Sequence, residues 1–316
     1  MNNLLEIKNL YLEAYYEEKW QPIVHDISFD LKRGEVLGLI GESGAGKSTI
    51  GLAAMGYARQ GCRIASGSIN LDGIEMFNAS NKDLRKVRGS KISYVAQSAA
   101  ASFNPAHRVI KQYAEAPVQH GLMSSVQAEK EAIELYERLF LPSPDKIGYR
   151  YPHELSGGQL QRAMVAMAMS CKPDIIVFDE PTTALDVTTQ IEVLAAVKEI
   201  TEKMNKAALY ITHDLAVVAQ VAHRIMVLRN GRLVEMNETR ELIKNPKEKY
   251  TRELLNVRSL RENKTIHDKM DVILNIKNVA ATYTGDKNVV EDIDLTVRKG
   301  RTVALVGESG SGKSTV

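Results

Sequence analysis

Residues 41–49 read Gly41-Glu42-Ser43-Gly44-Ala45-Gly46-Lys47-Ser48-Thr49. They fit the phosphate-loop pattern, which is a glycine, four free positions and then Gly-Lys-Ser. An apolar run of strand length at 35–40 precedes this loop, and an apolar helical run begins at Ser48. A strand, a glycine-rich loop and a helix in this order predict an α/β domain that binds phosphate groups. The alternative is a glycine-rich turn with a surface lysine.

The residue types in this loop suit a nucleoside triphosphate and Mg²⁺. Glycines let backbone N–H groups turn inward onto phosphate oxygens, and the following helix directs its positive N-terminal end at the same oxygens. Lys47 is placed to reach the β- and γ-phosphates, and the hydroxyl of Ser48 is placed to bind Mg²⁺. The loop therefore predicts a nucleotide site that works with Mg²⁺.

The phosphate loop occurs a second time, beginning at Gly307. The two copies differ at one position, where Ala45 corresponds to Ser311. The flanks repeat as well, because Ile7-Lys8-Asn9 reappears as Ile276-Lys277-Asn278. Repetition on this scale indicates a duplicated domain and not a solenoid.

The repeat predicts the domain organisation. We expect a complete domain at 1–256 and, at 272–316, the opening of a second domain that stops one residue beyond Thr315. Residues 257–271 are charged and poor in large apolar side chains, so we expect them to form a solvated linker.

The composition is that of an ordinary soluble globular protein, with 25% charged and 44% hydrophobic residues. The net charge of +2 argues neither for nor against nucleic acid. Cys62 and Cys171 lie far apart without metal-ligand spacing, which favours a reduced cytosolic setting. Because the chain has no membrane-spanning run and no signal-peptide pattern, we expect any membrane role to depend on a partner.

Secondary-structure patterns divide the first domain into three parts. Residues 4–12 and 24–31 alternate in strand fashion, and 66–78 predict a strand pair that turns at Asp72-Gly73, which together indicate an antiparallel β-subdomain. Residues 106–140 have helical periodicity and interrupt the alternation of strands and helices. We therefore expect an inserted helical subdomain beside the α/β core.

An aromatic cluster is predicted between the first two strands. It comprises Tyr11, Tyr15, Tyr16 and Trp20. One of these rings could stack on an adenine base, or the cluster could be ordinary packing of the β-subdomain. The residues leave both alternatives open.

Polar side chains follow three predicted strands at the points where those strands end. Gln97 ends one, Asp179 and Glu180 end the apolar run 175–178, and His213 ends another. Asp179 is placed to hold Mg²⁺, and Glu180 is placed to orient or deprotonate a water molecule. A lone histidine is more often structural, but these four groups converge on the edge where α/β sheets bind ligands.

Two further stretches predict capped helices. Ser156-Gly157-Gly158-Gln159 begins one with a capping serine and two glycines, a bare helix end that attracts phosphate, although Ser-Gly-Gly alone is common in loops. Asp186 is a plausible cap for a helix that runs to about Asn205. We expect its core stripe to be Val187, Ile191, Leu194, Val197, Ile200 and Met204. Residues 224–235 predict a hairpin around Asn230-Gly231, and 238–256 predict a helix.

In this order, these motifs resemble those of the ATPase subunits of ABC transporters. The resemblance covers 1–255 and, as a second copy, 272–316, and it implies a RecA-like phosphate-loop NTPase core that binds ATP and Mg²⁺. A finer resemblance is to the dipeptide, oligopeptide and nickel importers. It rests on Ser102-Phe103-Asn104-Pro105, Tyr151-Pro152-His153-Glu154, Pro181-Thr182-Thr183-Ala184-Leu185-Asp186-Val187, and Asn245-Pro246 with Tyr250-Thr251-Arg252.

The resemblance implies roles for the motif residues. Residues 41–49 would bind the phosphates, with Ser48, Asp179 and Gln97 serving the metal ion. Glu180 would be the catalytic base, His213 would brace the γ-phosphate, and Gln97 would sense it and contact the transmembrane partner. Ser156, Gly157, Gly158 and Gln159 would serve the nucleotide of an opposite domain, and Asp186 is expected at the nucleotide as well.

Two departures from the family pattern matter. Ala14 stands where many relatives have the aromatic residue that stacks on adenine, whereas the second copy has Tyr283 there. Tyr15 or Tyr16 must then substitute, or the contact is weaker. The cysteine-rich C-terminal extension of some members is replaced by the linker, so we expect no iron–sulfur cluster.

Two classes of function remain. In the first, the chain is a motor on the cytoplasmic face of the cell membrane, with two transmembrane permease subunits, a second ABC ATPase domain, fused or separate, and an indirect extracytoplasmic solute-binding protein. In the second, it is a soluble ABC ATPase that acts on ribosomes or DNA. The importer-like segments and the lack of basic arms favour the first and no nucleic-acid partner. The solute, whether di- or oligopeptide, nickel or a metal chelate, is not readable.

Overall fold

The computed structural model describes residues 3–183, 185–256, 271–282, 288–307 and 311–316. By its contacts the chain divides into two compact units, Met1–Leu185 with Gln190–Arg258 and Asp186–Thr189 with Ser259–Val316. The predicted linker, apart from Asp271, and Tyr283 lie outside the described residues.

The strands of the first unit form two sheets. One sheet is antiparallel, with the strand order β2-β1-β4-β5, and is the predicted β-subdomain. The other has the order β10-β9-β3-β8-β7-β6 and is parallel except for β10. The strands are β1 Leu5–Tyr16, β2 Lys19–Leu31, β3 Val36–Ile40, β4 Cys62–Leu71, β5 Ile74–Glu75, β6 Ile92–Val95, β7 Ile175–Asp179, β8 Ala207–Thr212, β9 Arg224–Arg229 and β10 Arg232–Glu238.

Helices cover the parallel sheet and form the inserted subdomain, which consists of α4, α5 and α6. A 3₁₀ turn at Pro152–Glu154 leads to α7, and a π-helical turn at Glu199–Lys203 continues α8. The helices are α1 Lys47–Ala53, α2 Asn81–Val87, α3 Ala99–Ser102, α4 Val109–Gln119, α5 Ser125–Arg138, α6 Pro144–Ile147, α7 Gly157–Met169, α8 Val187–Lys198, α9 Leu215–Val218, α10 Thr239–Lys244 and α11 Lys249–Asn256.

The parallel strands are apolar along their whole length because both faces of this sheet are buried. Every residue of β3, β7 and β8 is buried. Successive side chains point to opposite faces. Leu37 and Leu39 therefore join the core cluster shared with the β-subdomain, whereas Val36 and Ile40 join the cluster shared with the helical insertion. Because β3 and β7 both pair in parallel with β8, which lies between them, their carboxyl ends lie at the same edge of the sheet.

The predicted core stripe of α8 is partly wrong. Leu194, Val197 and Ile200 are buried, as expected, but Val187 is 68% exposed and Ile191 is 61% exposed. The buried positions of α8 are Val193, Leu194, Ala196 and Val197, all in its second half, so the core does not cover its first turns.

Three predicted elements have different ends. The strands predicted at 4–12 and 24–31 extend to meet in a hairpin, so the aromatic residues lie on its arms and not between separate strands. The helix predicted at 238–256 is interrupted, because Pro246 lacks an N–H donor and restricts the preceding residue. The carboxylate of Glu235 accepts hydrogen bonds from the N–H groups of Lys247 and Glu248, each at 3.1 Å, and so supports the restart at α11.

The second unit contains an antiparallel hairpin of β11 (Val272–Thr282) and β12 (Asn288–Arg298). Most side chains of β11 and several of β12 are exposed, and Val290 is the buried residue among those of the hairpin that the structure describes. Residues 301–307, which match β3 in sequence, form no strand. Ile273, Val303 and Val306 are exposed.

Candidate nucleotide site

The phosphate loop connects the end of β3 to the start of α1, as predicted. Gly41 has φ 154° and Gly46 has φ 91°, both outside the range that side chains favour. A Cβ atom on Gly41 would lie 2.2 Å from the carbonyl oxygen of Leu228, which is backbone on β9. The loop can follow this path only with glycine at position 41.

Lys47 points back into the loop. Its side chain is only 5% exposed, and Nζ donates hydrogen bonds to the carbonyl oxygens of Gly41 at 2.8 Å and Glu42 at 2.9 Å. Burial lowers the pKa of Lys47, and the carboxylates of Glu180 and Asp179 oppose that shift. The loop therefore surrounds a poorly hydrated ammonium group, which is a strong partner for phosphate oxygens.

The Glu42 peptide is held from the other side by the last helix of the first unit. Its N–H donates a long hydrogen bond, 3.4 Å, to the hydroxyl oxygen of Tyr250 on α11. The guanidinium of Arg229 lies over the Tyr250 ring, 4.6 Å from its centroid. A side chain from the C-terminal end of the first unit thus contacts the phosphate loop directly.

Ser48 and Asp179 meet, as the sequence predicted for a metal site. The Ser48 hydroxyl donates to Asp179 Oδ1 at 2.7 Å. The Tyr94 hydroxyl, on the neighbouring strand β6, donates to Asp179 Oδ2. Burial, with the Asp179 hydrogen bond second, raises the pKa of Tyr94 well above its usual range, so the phenol remains a donor. A hydroxyl beside a carboxylate is the oxygen donor set that Mg²⁺ prefers.

The other predicted residues converge on the adjacent carboxylate. Glu180 Oε2 accepts a hydrogen bond from Gln97 Nε2 at 3.2 Å and from Thr183 Oγ1 at 2.9 Å. His213 Nδ1 lies 3.3 Å from the same oxygen. Glu180 has φ 49°, a left-handed conformation that is uncommon outside glycine. Gln97, Glu180 and His213 are therefore brought together, and Gln97 contacts Glu180 instead of Asp179.

Sequence reasoning gave no site role to Tyr94 and Thr183. Thr183 lies three residues after Glu180, and this short spacing is a signal that its hydroxyl could contact the Glu180 carboxylate. Tyr94 was visible as the polar aromatic in an otherwise short apolar strand, three residues before Gln97. Its contact became evident only because β6 pairs with β7 in the register Tyr94 to Val177.

Ser156 caps α7 in the predicted manner. Its hydroxyl accepts from the Gln159 N–H at 3.3 Å, and the Gln159 side chain accepts from the Ser156 N–H at 3.1 Å. Gly157 and Gly158 form the first turn. In the described part of the chain, no hydrogen bond or ion pair joins this helix start to the phosphate loop.

Asp186 caps α8, again as predicted. Its carboxylate accepts from the N–H and the hydroxyl of Thr189, both at 3.0 Å. These hydrogen bonds, with that from the Thr189 backbone the strongest cause, lower the pKa of Asp186. The side chain is therefore an anion with a defined orientation.

The aromatic cluster is largely exposed. Tyr15 is 54% exposed and tilts against Trp20 with 5.3 Å between ring centroids, and the guanidinium of Arg63 lies 4.2 Å from the Trp20 ring. Tyr16 is exposed as well. Core packing therefore does not account for Tyr15 and Tyr16, and either ring is accessible to a planar ligand.

Comparison with known proteins identifies the class to which this fold and site belong. The family model described as ABC transporter matches residues 24–183 and 290–316. The chain belongs to the ABC transporter family. Its cassette is therefore an ATPase domain that binds ATP with Mg²⁺.

The relatives found include ATP-binding proteins of peptide transport. OppD of Lactococcus lactis subsp. cremoris, an oligopeptide transport ATP-binding protein, is 40% identical over 271 residues, which are 86% of this chain and 80% of OppD. YejF of Escherichia coli, an uncharacterized ABC transporter ATP-binding protein, is 36% identical over 99% of this chain. GsiA of Salmonella choleraesuis, a glutathione import ATP-binding protein, is 34% identical over 99% of this chain. The chain spans 61% of YejF and 57% of GsiA.

A solved structure supports the fold. The dimeric, post-hydrolysis state of the ATP-binding cassette MJ0796, bound to ADP and phosphate, superposes with a TM-score of 0.67 at 26% identity. The match covers 74% of this chain and 98% of that cassette. The predicted α/β cassette, with its β-subdomain and helical insertion, is confirmed. No helix among the described residues has the length and apolar character needed to span a membrane.

Proposed function

We propose that this chain is the ATP-hydrolysing motor of an ABC importer for small peptides. The observation that carries the proposal is the 40% identity to OppD across 80% of that protein, together with a site in which Lys47, Ser48, Asp179 and Glu180 meet. The similarity to GsiA supports a peptide of small size as the solute. The assignment of the solute rests on this similarity alone, because none of the residues of the nucleotide site contacts the solute in this scheme.

The first loop is proposed to bind Mg-ATP. Lys47 holds the phosphates from within the loop, while Ser48 and Asp179 supply oxygen atoms to the metal ion. Mg²⁺, when bound, neutralises charge on the phosphate oxygens and orients them. The exposed rings of Tyr15 and Tyr16 are proposed as the surface on which adenine stacks, because position 14 has an alanine and no aromatic ring.

Glu180 is proposed as the general base. Hydrogen bonds from Gln97 and Thr183 to one carboxylate oxygen fix the direction of the group, so that it can take a proton from a water molecule in a defined position. His213 lies beside the same oxygen and is proposed to brace the γ-phosphate. Gln97 is proposed to respond to the γ-phosphate through its contact with Glu180.

The remaining predicted residues are proposed to act between cassettes. Ser156, Gly157, Gly158 and Gln159 present a capped helix start, and Asp186 a fixed carboxylate, to the nucleotide of a second ABC domain. Residues 272–316 are proposed to belong to a second copy of the cassette, since they repeat its opening sequence and match the family in part. The proposed division of the chain is 1–256, 257–271 and 272–316.

The further partners are two transmembrane permease subunits and an extracytoplasmic solute-binding protein that acts through them. The motor would therefore work at the cytoplasmic face of the membrane, held there by the permeases. The loop from Gln97 to Pro105 and the helical insertion are the proposed docking surface, because they depart from the nucleotide-binding core. Transport selectivity would reside in the permeases and the solute-binding protein.

The test is uptake in cells that lack the gene. Deletion should abolish uptake of a labelled tripeptide, and the parent protein should restore it. Glu180→Gln should not restore it, since an amide cannot act as a base. Glu202→Gln, on an exposed side chain outside the site, is the matched control and should restore uptake fully.

The uptake of Ni²⁺ in the same strains separates the related solutes. Loss of Ni²⁺ uptake with unchanged peptide uptake would show that the motor serves a metal importer. Unchanged uptake of both solutes, with the protein in the ribosomal fraction, would show that it is a soluble ABC ATPase and would contradict the proposal.

A further inference from the structure

Asp179 is held at both carboxylate oxygens. Among the described residues, the side-chain hydrogen bonds found at this group are one to Oδ1 from Ser48, at 2.7 Å, and one to Oδ2 from Tyr94. Asp179 is only 4% exposed, so little water is available to replace either donor. The two hydrogen bonds together set the rotation of the carboxylate and direct one oxygen at the Ser48 hydroxyl.

Tyr94 is itself in a fixed position. It lies on β6, opposite Val177 in the parallel pairing with β7, two residues before Asp179 on that strand. Its ring is half-buried against the apolar cluster that includes Ile92 and Val177. A donor on a paired strand with a packed ring has little freedom to follow a moving carboxylate. It can therefore preorganise the carboxylate.

The strand β6 and the residues that directly follow it support both carboxylates at the end of β7. Three residues after Tyr94, Gln97 donates to Glu180 at 3.2 Å. Strand β6 thus supplies a hydrogen bond to the proposed metal ligand, and the loop that follows it supplies another to the proposed base. Each donor serves one carboxylate, because Tyr94 contacts Asp179 and Gln97 contacts Glu180.

We infer that Tyr94 is a positioning residue of the metal site, which sets the affinity for Mg²⁺ by holding Asp179 toward Ser48. The inference rests on the proposed function, since it requires Mg-ATP to bind at the first loop. Tyr94 does not contact the metal in this scheme. Its effect is transmitted through the Asp179 carboxylate alone.

The experiment is a Mg²⁺ titration of ATP binding to Tyr94→Phe, which removes the hydroxyl and keeps the ring. Because hydrogen bonds to charged groups are the strong ones, the Mg²⁺ concentration for half-maximal binding should rise about tenfold. ATP affinity in EDTA should change less than about twofold, since Lys47 and the loop are untouched. Electron paramagnetic resonance of Mn²⁺ in the presence of ATP should show that the affinity for Mn²⁺ also falls about tenfold.

Two further variants calibrate the experiment. Tyr136→Phe removes another buried hydroxyl, in the helical insertion, which has no hydrogen-bond partner among the described residues. It should leave the Mg²⁺ titration unchanged. Asp179→Asn removes the proposed metal ligand itself and should weaken metal binding more than Tyr94→Phe. Circular dichroism melts verify that each variant is folded at the assay temperature.

The outcomes separate the two claims. A parent protein with no Mg²⁺-dependent ATP binding, or an Asp179→Asn variant that binds metal normally, overturns the proposed function and this inference with it. A large effect of Asp179→Asn with none for Tyr94→Phe overturns only the inference. Equal loss of ATP affinity by Tyr94→Phe with and without Mg²⁺ would show general support of the fold and would also overturn it.

Discussion

The chain contains nearly the same nine residues twice, and the two copies have different surroundings. In the first, Lys47 is buried and the preceding strand β3 lies between β8 and β9. In the second, Lys313 Nζ donates to the Gly307 carbonyl at 2.7 Å, but residues 301–307 form no strand and Val306 is 87% exposed. The lysine-to-carbonyl contact is therefore local, whereas the enclosure of the lysine depends on the sheet.

One contact is shared by both copies. A Cβ atom on Gly46 would meet the Val24 side chain at 2.9 Å, and one on Gly312 would meet the Val290 side chain at 2.4 Å. The equivalent hairpin thus lies against the equivalent glycine in each copy. Short motifs and their hairpins reproduce local geometry, but a buried parallel sheet is needed to fix the loop against strand-end carboxylates.

The largest expected effect is on hydrolysis. Glu180→Gln should retain ATP binding and lose about 100- to 10,000-fold in turnover, the usual contribution of a general base. A colorimetric phosphate assay at saturating Mg-ATP measures this, with Glu202→Gln as the control. Residual turnover of more than about a tenth of the parent rate would show that another group, at either loop, provides the base.

The paired lysine variants test whether the two loops bind ATP equally. Lys47→Ala should weaken ATP binding about 100-fold or more, because it removes the buried cation that faces the phosphates. Lys313→Ala should change it less than about twofold in the same chain, since that lysine is not enclosed by a sheet. Isothermal titration calorimetry measures both. Similar losses in the two variants would contradict the comparison.

The paired glycine variants test the packing around each loop. Gly41→Ala should destabilise the fold by about 2–3 kcal/mol, because its Cβ would meet the Leu228 carbonyl, which is backbone. Gly307→Ala should cost less than about 1 kcal/mol, since its Cβ would meet the mobile hydroxyl of Ser311. Urea unfolding compares their midpoints with the parent. The distinction between the loops fails if Gly307→Ala is the more damaging change.

The smallest expected effect comes from replacing Ala45 by serine, the residue that the second loop has at the equivalent position. Ala45→Ser should change ATP affinity less than about twofold, because the side chain at this position is 3% exposed and packs in the core of the first unit. Fluorescence anisotropy with a labelled ATP analogue measures this affinity. A loss as large as that of Lys47→Ala would show that the residue at this position, and not the sheet, distinguishes the loops.

The parallel core was predictable from the sequence because its strands are uninterrupted apolar runs that end in polar residues. Asp179, Glu180 and His213 each follow such a run, so the sequence alone predicts that they lie at one edge of the sheet. The β9–β10 hairpin was equally clear from Asn230-Gly231, which lies between the two strands. These features depend on near neighbours along the chain.

What could not be predicted depends on pairing between distant segments. The contact of Tyr94 with Asp179 depends on the register of β6 against β7. The exposure of Ile191 depends on the path of α8 across the core. Burial of an apolar residue in a helix depends on what faces it, which periodicity alone does not specify. Pro246 was a readable break in the helix predicted at 238–256, by contrast, because its effect is local.

The hydrogen bond between Glu42 and Tyr250 connects the phosphate loop to α11. Both main-chain polar groups of Glu42 are held, since its N–H donates to the Tyr250 hydroxyl oxygen and its carbonyl oxygen accepts from Lys47 Nζ. Movement of α11 would therefore displace a residue whose carbonyl oxygen accepts a hydrogen bond from Lys47.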